Sequence, residues 1–168
     1  EIGTIEQLNV TPITKGQFIA GKLLPFWVLG LIEFGLGLIV AWLAYDLPFR
    51  GSLLLLFGVA GIYLTVALGI GLLISTVVNT QQQAMLVTFF VLVLYLLMSG
   101  LFTPVASMPT WAEWVAELSP LKHFIEIMRT VLMKGAGPLD IWRPTVILAG
   151  YGGLILSVAV RQYSKTKT

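Results

Sequence analysis

The chain has 168 residues, of which 57% are hydrophobic and only 11% charged, with a formal net charge of +2. A soluble domain carries about 25% charged residues, so these figures exclude a water-covered globule and make lipid the solvent, while the small charge gives no case for a nucleic-acid partner. There is no Cys, which excludes disulfide frameworks and Cys-based metal sites. The chain opens at Glu1 without Met or a basic leader, and no signal peptide is visible; the reading is a piece of a longer protein whose first part is missing.

Residues 1–22 read as short helices outside the hydrocarbon. Thr4 with Gln7 and Thr14 with Gln17 have capping-box spacing, Thr11-Pro12 breaks between them, and the second helix is expected to run into the membrane at Gly21-Lys22. A bilayer core needs roughly 20 apolar helical residues. Segments 23–45, 53–78, 84–103 and 141–161 meet or approach that length, and in lipid they must be helices, because every backbone polar group has to pair internally. The polar turns at 46–51 and 79–83 make the first three spans antiparallel neighbours.

The connection at 104–138 has its own pattern. Thr110 and Glu113 fit a capping box opening a helix on Trp111, Trp114, Val115 and Leu118. Ser119-Pro120 ends it and starts another, with Pro at the first helical position. In that second helix Leu121, Phe124, Ile125, Met128 and Leu132 form the apolar stripe, and Lys122, Glu126 and Arg129 lie opposite. Gly135 and Gly137-Pro138 end it. Neither helix can cross a bilayer, and the pair reads as a hairpin dipping into one leaflet, with a surface loop as the alternative. The fold class is therefore all-α: one transmembrane domain over 1–168, a polytopic bundle of four spans with a re-entrant helical hairpin before the last.

Four spans put both termini on one side. Lys15, Lys22, Arg161, Lys165 and Lys167 there face Arg50, Lys122, Arg129, Lys134 and Arg143 opposite, a tie under the positive-inside rule; the basic tail tilts the reading towards cytoplasmic termini.

Gly16-Gln-Phe-Ile-Ala-Gly21-Lys22 imitates a phosphate-binding loop but is followed by Leu23 instead of the Ser or Thr that holds magnesium. The chain is thus expected to bind no cofactor, and any ATP and magnesium to belong to another chain. His123 is the only histidine, too few ligands for metal catalysis, and reads as an interfacial polar residue. No catalytic residue is assigned. Glu33 lies near the middle of the first span, where a carboxylate costs about 3 kcal/mol on insertion scales. It is open between a substrate or proton contact and a structural carboxyl between helices. Gly37 with Ala41, Thr65 with Gly69, Ala67 with Gly71, and Ala149 with Gly153 have the four-residue spacing that permits close helix approach.

The opening Glu1-Ile-Gly3-Thr4-Ile-Glu6-Gln-Leu8-Asn-Val-Thr11-Pro12, with Gly21-Lys22 after it, resembles the cytoplasmic motif of type-2 ABC exporter permeases. Ser99-Gly100-Leu-Phe102-Thr-Pro104, Met108-Pro109, Ser119-Pro120, Arg129 and Lys134-Gly135 resemble the same family's later progression, with Ser119 where Asn is commoner. The resemblance implies the last four of six spans, cytoplasmic termini in a bacterial inner membrane, and an external hairpin. It implies an ABC ATPase partner, met through Glu1, Gly3, Thr4, Glu6, Thr11, Pro12 and Lys22, and a second permease as homo- or heterodimer. The substrate path would run near the first and third spans, with Glu33 on it and Phe102, Trp111 and Trp114 as external closure or as lipid anchors. The rival readings are a non-transport membrane scaffold and a proton-coupled carrier using Glu33. No residue set selects among drugs, lipids, glycans and peptides.

Overall fold

The structure is a computed structural model and describes residues 15–102 and 104–163. The α-helices are α1 (Lys15–Tyr45), α2 (Leu53–Val77), α3 (Gln81–Met98), α4 (Thr110–Glu117), α5 (Pro120–Lys134) and α6 (Trp142–Tyr163), with a 3-10 turn at Val105–Ser107. No strand occurs among the described residues. Four of the helices, α1, α2, α3 and α6, are long and apolar enough to cross a membrane.

Local chemistry sets the helix ends. Asp46, at φ 46°, turns the chain out of α1 in the left-handed region that Asp tolerates. Ser52 caps α2 by accepting from Leu55 N–H. Thr80 accepts from Gln83 N–H at 3.2 Å, and the Gln83 side chain accepts from Asn79 N–H at 3.2 Å. This reciprocal arrangement starts α3 at Gln81, three residues before the expected 84. Thr110 and Glu113 do not form the anticipated box: Pro109 holds the cap position of α4 and Thr110 is already helical. Gly135, at φ 68°, closes α5 in the conformation that glycine adopts without penalty.

α2 is the hub: it packs on α1, α6, α5 and α3. Its seam with α1 is built from glycines facing large side chains. A β-carbon at Gly61 would lie 2.8 Å from Trp27 Cζ2, and one at Gly30 2.6 Å from Leu64. The Trp27 indole donates to the Gly61 carbonyl at 2.9 Å. On another face of α2, two turns further on, Gly69 receives Ile155 of α6. Of the four small-residue pairs read from spacing, Thr65/Gly69 thus sits at a helix seam, whereas added β-carbons at Gly37, Gly71 and Gly153 would meet nothing.

α4 and α5 form a hairpin whose two ends lie on the face carrying the α1–α2 turn. Arg50 N–H donates to the Leu132 carbonyl at 3.2 Å, and a β-carbon at Gly51 would lie 2.5 Å from the Val131 carbonyl oxygen. From there α5 runs inward until Phe124 stacks on Tyr63 at 4.5 Å between ring centroids, with Phe34 of α1 at 5.9 Å. Tyr63 stands about 15 Å along α2 from Leu53, so the tip at Leu118–Ser119 reaches the middle of the bundle. The buried stripe of α5 is Pro120, His123, Phe124, Ile127, Val131 and Leu132. It is rotated from the expected one: Leu121, Ile125 and Met128 are only half-buried. In α4 the buried residues are Ala112 and Ala116, while Trp111, Trp114 and Leu118 face outward, because only the small side chains let α4 approach α3 and α5.

The Gly61 seam yields the first prediction. Gly61→Leu drives its side chain into Trp27 and breaks the indole bond, an overpacking cost of about 1–3 kcal/mol, and should lower the unfolding midpoint of the purified protein in detergent. Gly58→Leu, where a β-carbon meets nothing within 4 Å, should leave it nearly unchanged. Equal effects would show that the seam is not specific.

Candidate functional site

Three regions collect the polar and motif residues: the entry to α1, the tip of the hairpin, and the cleft where the hairpin meets the end of α3. Glu1, Gly3, Thr4, Glu6, Thr11 and Pro12 lie outside the described residues. Lys22 is exposed on α1, two turns from Lys15 and at the end of the bundle opposite the hairpin. Gly16 to Lys22 is helical throughout. The phosphate-loop spacing therefore falls within a continuous helix instead of a strand-to-helix loop. Beside it, a cavity of about 450 Å³ opens between α1, α2 and α6, with Ile19, Leu23, Trp27, Leu68 and Leu156 among its walls.

Glu33 is exposed on α1, with no described side chain in ion-pair contact. It points away from this chain's own core. Gly37, one turn on, has open space where a β-carbon would stand. The structure does not bring Glu33 to the aromatic residues. α1 packs on α2 and α6, whereas α4 packs on α3, α5 and the 3-10 turn. Phe102, Trp111 and Trp114 are 69%, 67% and 73% exposed, a surface band at the hairpin.

The hairpin tip carries a polar cluster that spacing alone did not reveal. α4 ends at Glu117, half-way down the bundle, and the last carbonyls of a helix have no intrahelical donors. His123, 3% exposed, meets the Glu117 carbonyl with Nε2 at 2.9 Å. A carbonyl only accepts, so Nε2 carries the hydrogen. Tyr151 Oη donates to the same carbonyl at 3.4 Å. The Glu117 carboxylate pairs with Lys122 Nζ and lies 3.8 Å from His123 Nε2. Pro120, at the first position of α5, brings no N–H of its own to satisfy. The Ser119 hydroxyl is buried without a protein partner. His123 is therefore not the interfacial residue anticipated: it is a buried cap. The available signal was a lone histidine three residues after Ser119-Pro120, with Glu117 and Lys122 bracketing the break.

Motif residues from distant parts of the chain converge in the third region. Ser99, Gly100, Pro104, Arg129 and Lys134 line one cleft of about 670 Å³ between the end of α3 and α5. Gly100, at φ 77°, turns its carbonyl towards Arg129, whose Nη2 donates to it at 3.3 Å. Among the described residues no group of three or more His, Cys, Asp or Glu could hold a metal ion.

Replacing His123 with Leu removes the stronger donor to the Glu117 carbonyl and should cost about 1–3 kcal/mol, read as a lower unfolding midpoint and faster proteolysis of the hairpin. His123→Gln, which keeps an N–H donor, should recover part of the loss. Equal loss in both variants would assign His123 to packing alone.

Comparison with known proteins places these features. The sequence model of the ABC-2 type transporter family matches residues 1–133. The chain is 35% identical over 142 residues to the probable multidrug ABC transporter permease YbhR of Escherichia coli K12, covering 84% of this chain and 39% of that protein. It is 30% identical over 168 residues to the inner membrane transport permease YhhJ of the same organism, covering 99% of this chain and 45% of that one. The linearmycin resistance permease protein LnrN of Bacillus subtilis is 23% identical over 159 residues, 95% of this chain and 41% of its own length. The chain thus spans less than half the length of these curated relatives. No solved structure matches it. The motif at the head of α1, four helices of membrane-spanning length and the family match over most of the chain agree: this is a multi-pass membrane protein, and it belongs to the ABC-2 type transporter family.

Proposed function

We propose that the full-length protein is the permease subunit of an ATP-driven exporter, and that this chain supplies four of its spans and the segment that receives work from a separate ATPase. The observation that carries this reading is the continuity of α1. The family motif at 1–12 leads within a few residues into a helix that runs unbroken from Lys15 to Tyr45. A push that reaches Lys15 would be carried into the span by one continuous helix, as a lever requires. Glu1, Gly3, Thr4, Glu6, Thr11 and Pro12 would meet the ATPase, with Lys22 at the membrane edge. ATP and magnesium belong to that partner, and this chain is not the hydrolase.

The same reading puts both termini on the cytoplasmic side and the hairpin outside. A second permease, of the same or another kind, completes the path. The described residues of α1 and α3 leave most of their surface uncovered, which suits walls of a path shared with further helices. Glu33 on the uncovered face of α1 would then meet a partner helix or a wet passage instead of lipid. Phe102, Trp111 and Trp114 would anchor or close the outer end. The names of the relatives YbhR and LnrN, a probable multidrug permease and a linearmycin resistance permease, favour a drug-like cargo over glycans or peptides.

The test uses the full-length permease and a candidate ATPase subunit, co-expressed and reconstituted in vesicles. Glu6→Lys should insert normally and fold with an unchanged unfolding midpoint, yet lose most of the ATPase stimulation that the parent permease gives. Stimulation retained in Glu6→Lys would remove the coupling role. Flux that needs a proton gradient, no ATPase, and an intact Glu33 would replace the whole reading with a carrier.

A further inference from the structure

The cleft between α3 and α5 has a composition that the transport reading does not use. Part of its wall is apolar, formed by Val105, Ile125 and Met133. Its rim is basic: Arg129 and Lys134 line it, and no described carboxylate stands in ion-pair contact with either. Lys122, at the deep end, is already matched by Glu117. Glu126 is the one carboxylate in the lining. Ser99 closes α3 here, and Gly135, next to Lys134, packs against Arg50 at the α1–α2 turn. The two cations therefore stand where the spans end, the depth at which lipid headgroups lie.

We propose that this cleft is a binding site for an anionic phospholipid of the surrounding bilayer. The phosphate would sit between Arg129 and Lys134, and one acyl chain would lie along Ile125, Met133 and Val105. Arg129 spends only part of its five-donor fork on the Gly100 carbonyl, so donors remain for a phosphate oxygen, to which guanidinium is well matched. Glu126 sets a limit on the charge the site accepts. It disfavours a polyanion, and it offers an acceptor to a hydroxyl-bearing head such as glycerol. The apolar wall separates this site from one for free phosphate, since an ion without a chain would leave that wall unused. The inference needs the membrane placement of the hairpin but not ATP coupling.

The experiment is native mass spectrometry of the purified full-length permease in detergent. Phosphatidylglycerol and phosphatidylcholine of equal chain length are supplied together. The parent should retain phosphatidylglycerol in preference. Arg129→Gln with Lys134→Gln should lower that retention about tenfold, the scale of one lost charge-assisted contact. Arg143→Gln removes the same charge from the start of α6, outside the cleft, and should leave retention unchanged. If the double variant does not fold, Lys134→Gln alone, which breaks no described hydrogen bond, should still lower retention about threefold. The proposal is overturned if the Lys134 variant retains lipid like the parent. It is overturned equally if Arg143→Gln loses as much as the cleft variants, or if glycerol phosphate at the lipid's own concentration displaces it. Failure here with ATPase stimulation intact would leave the transport reading standing, and binding without stimulation would do the reverse.

Discussion

A helix that stops inside a bilayer leaves carbonyl groups with nothing to bond, each costing several kcal/mol in hydrocarbon, and the proposed re-entrant placement of the hairpin would end α4 there. Its last carbonyl, on Glu117, accepts from His123 and Tyr151, which tie the hairpin tip to its own return helix and to α6. The Glu117 side chain then neutralises Lys122, so a charge carried to mid-depth arrives with its counter-charge. Once the tip is satisfied, the rest of the hairpin follows. Phe124 reaches Tyr63 and Phe34, Val131 closes on Gly51, and the family's Arg129 arrives beside Gly100. The cleft between α3 and α5 exists because the tip is held.

The bundle divides its labour between helices. α2 is packed on several sides and spends its glycines on close approach to α1 and α6. α3, in contrast, has no buried residue among those described, and α1 has only Ile19 and Leu38. In a membrane an uncovered apolar face is no liability, since lipid tails are as apolar as Leu. An uncovered carboxylate is, and Glu33 is the one place on α1 where lipid is a poor neighbour. The relatives are more than twice as long as the matched chain, and further helices or a second permease can supply what Glu33 lacks.

The spans were legible in the sequence because membrane helices announce themselves by length and apolarity alone, and the family by residues at fixed offsets. Detail failed where a decision depended on which neighbour was near. The sequence marked Trp111, Trp114, Val115 and Leu118 as the apolar residues of α4 but did not show that Ala112 and Ala116 are the buried pair, since inside a tight hairpin small side chains pack and large ones are turned out. The stripe of α5 was rotated because His123, polar on any scale, is buried to cap Glu117. Spacing nominated Gly37 as readily as Gly69, and only the position of α6 separates them. The family motif was read as a string; that Ser99, Gly100, Pro104, Arg129 and Lys134 share one cleft required the fold.

The depth of the hairpin tip is the claim on which this account stands, and it is directly measurable in a full-length permease cleared of any Cys outside these 168 residues, which hold none. Single cysteines at Leu118, Leu101 and Leu139 of the full-length permease, all exposed side chains, can be labelled with a fluorophore and quenched by lipids bearing nitroxides at different depths. The account predicts strongest quenching at Leu118 by a nitroxide near the chain terminus, with Leu101 and Leu139 quenched at headgroup depth and labelled by an impermeant reagent from the same side. Leu118 labelled as fast as Leu139 by that impermeant reagent, or Leu101 and Leu139 labelled from opposite sides, would contradict it.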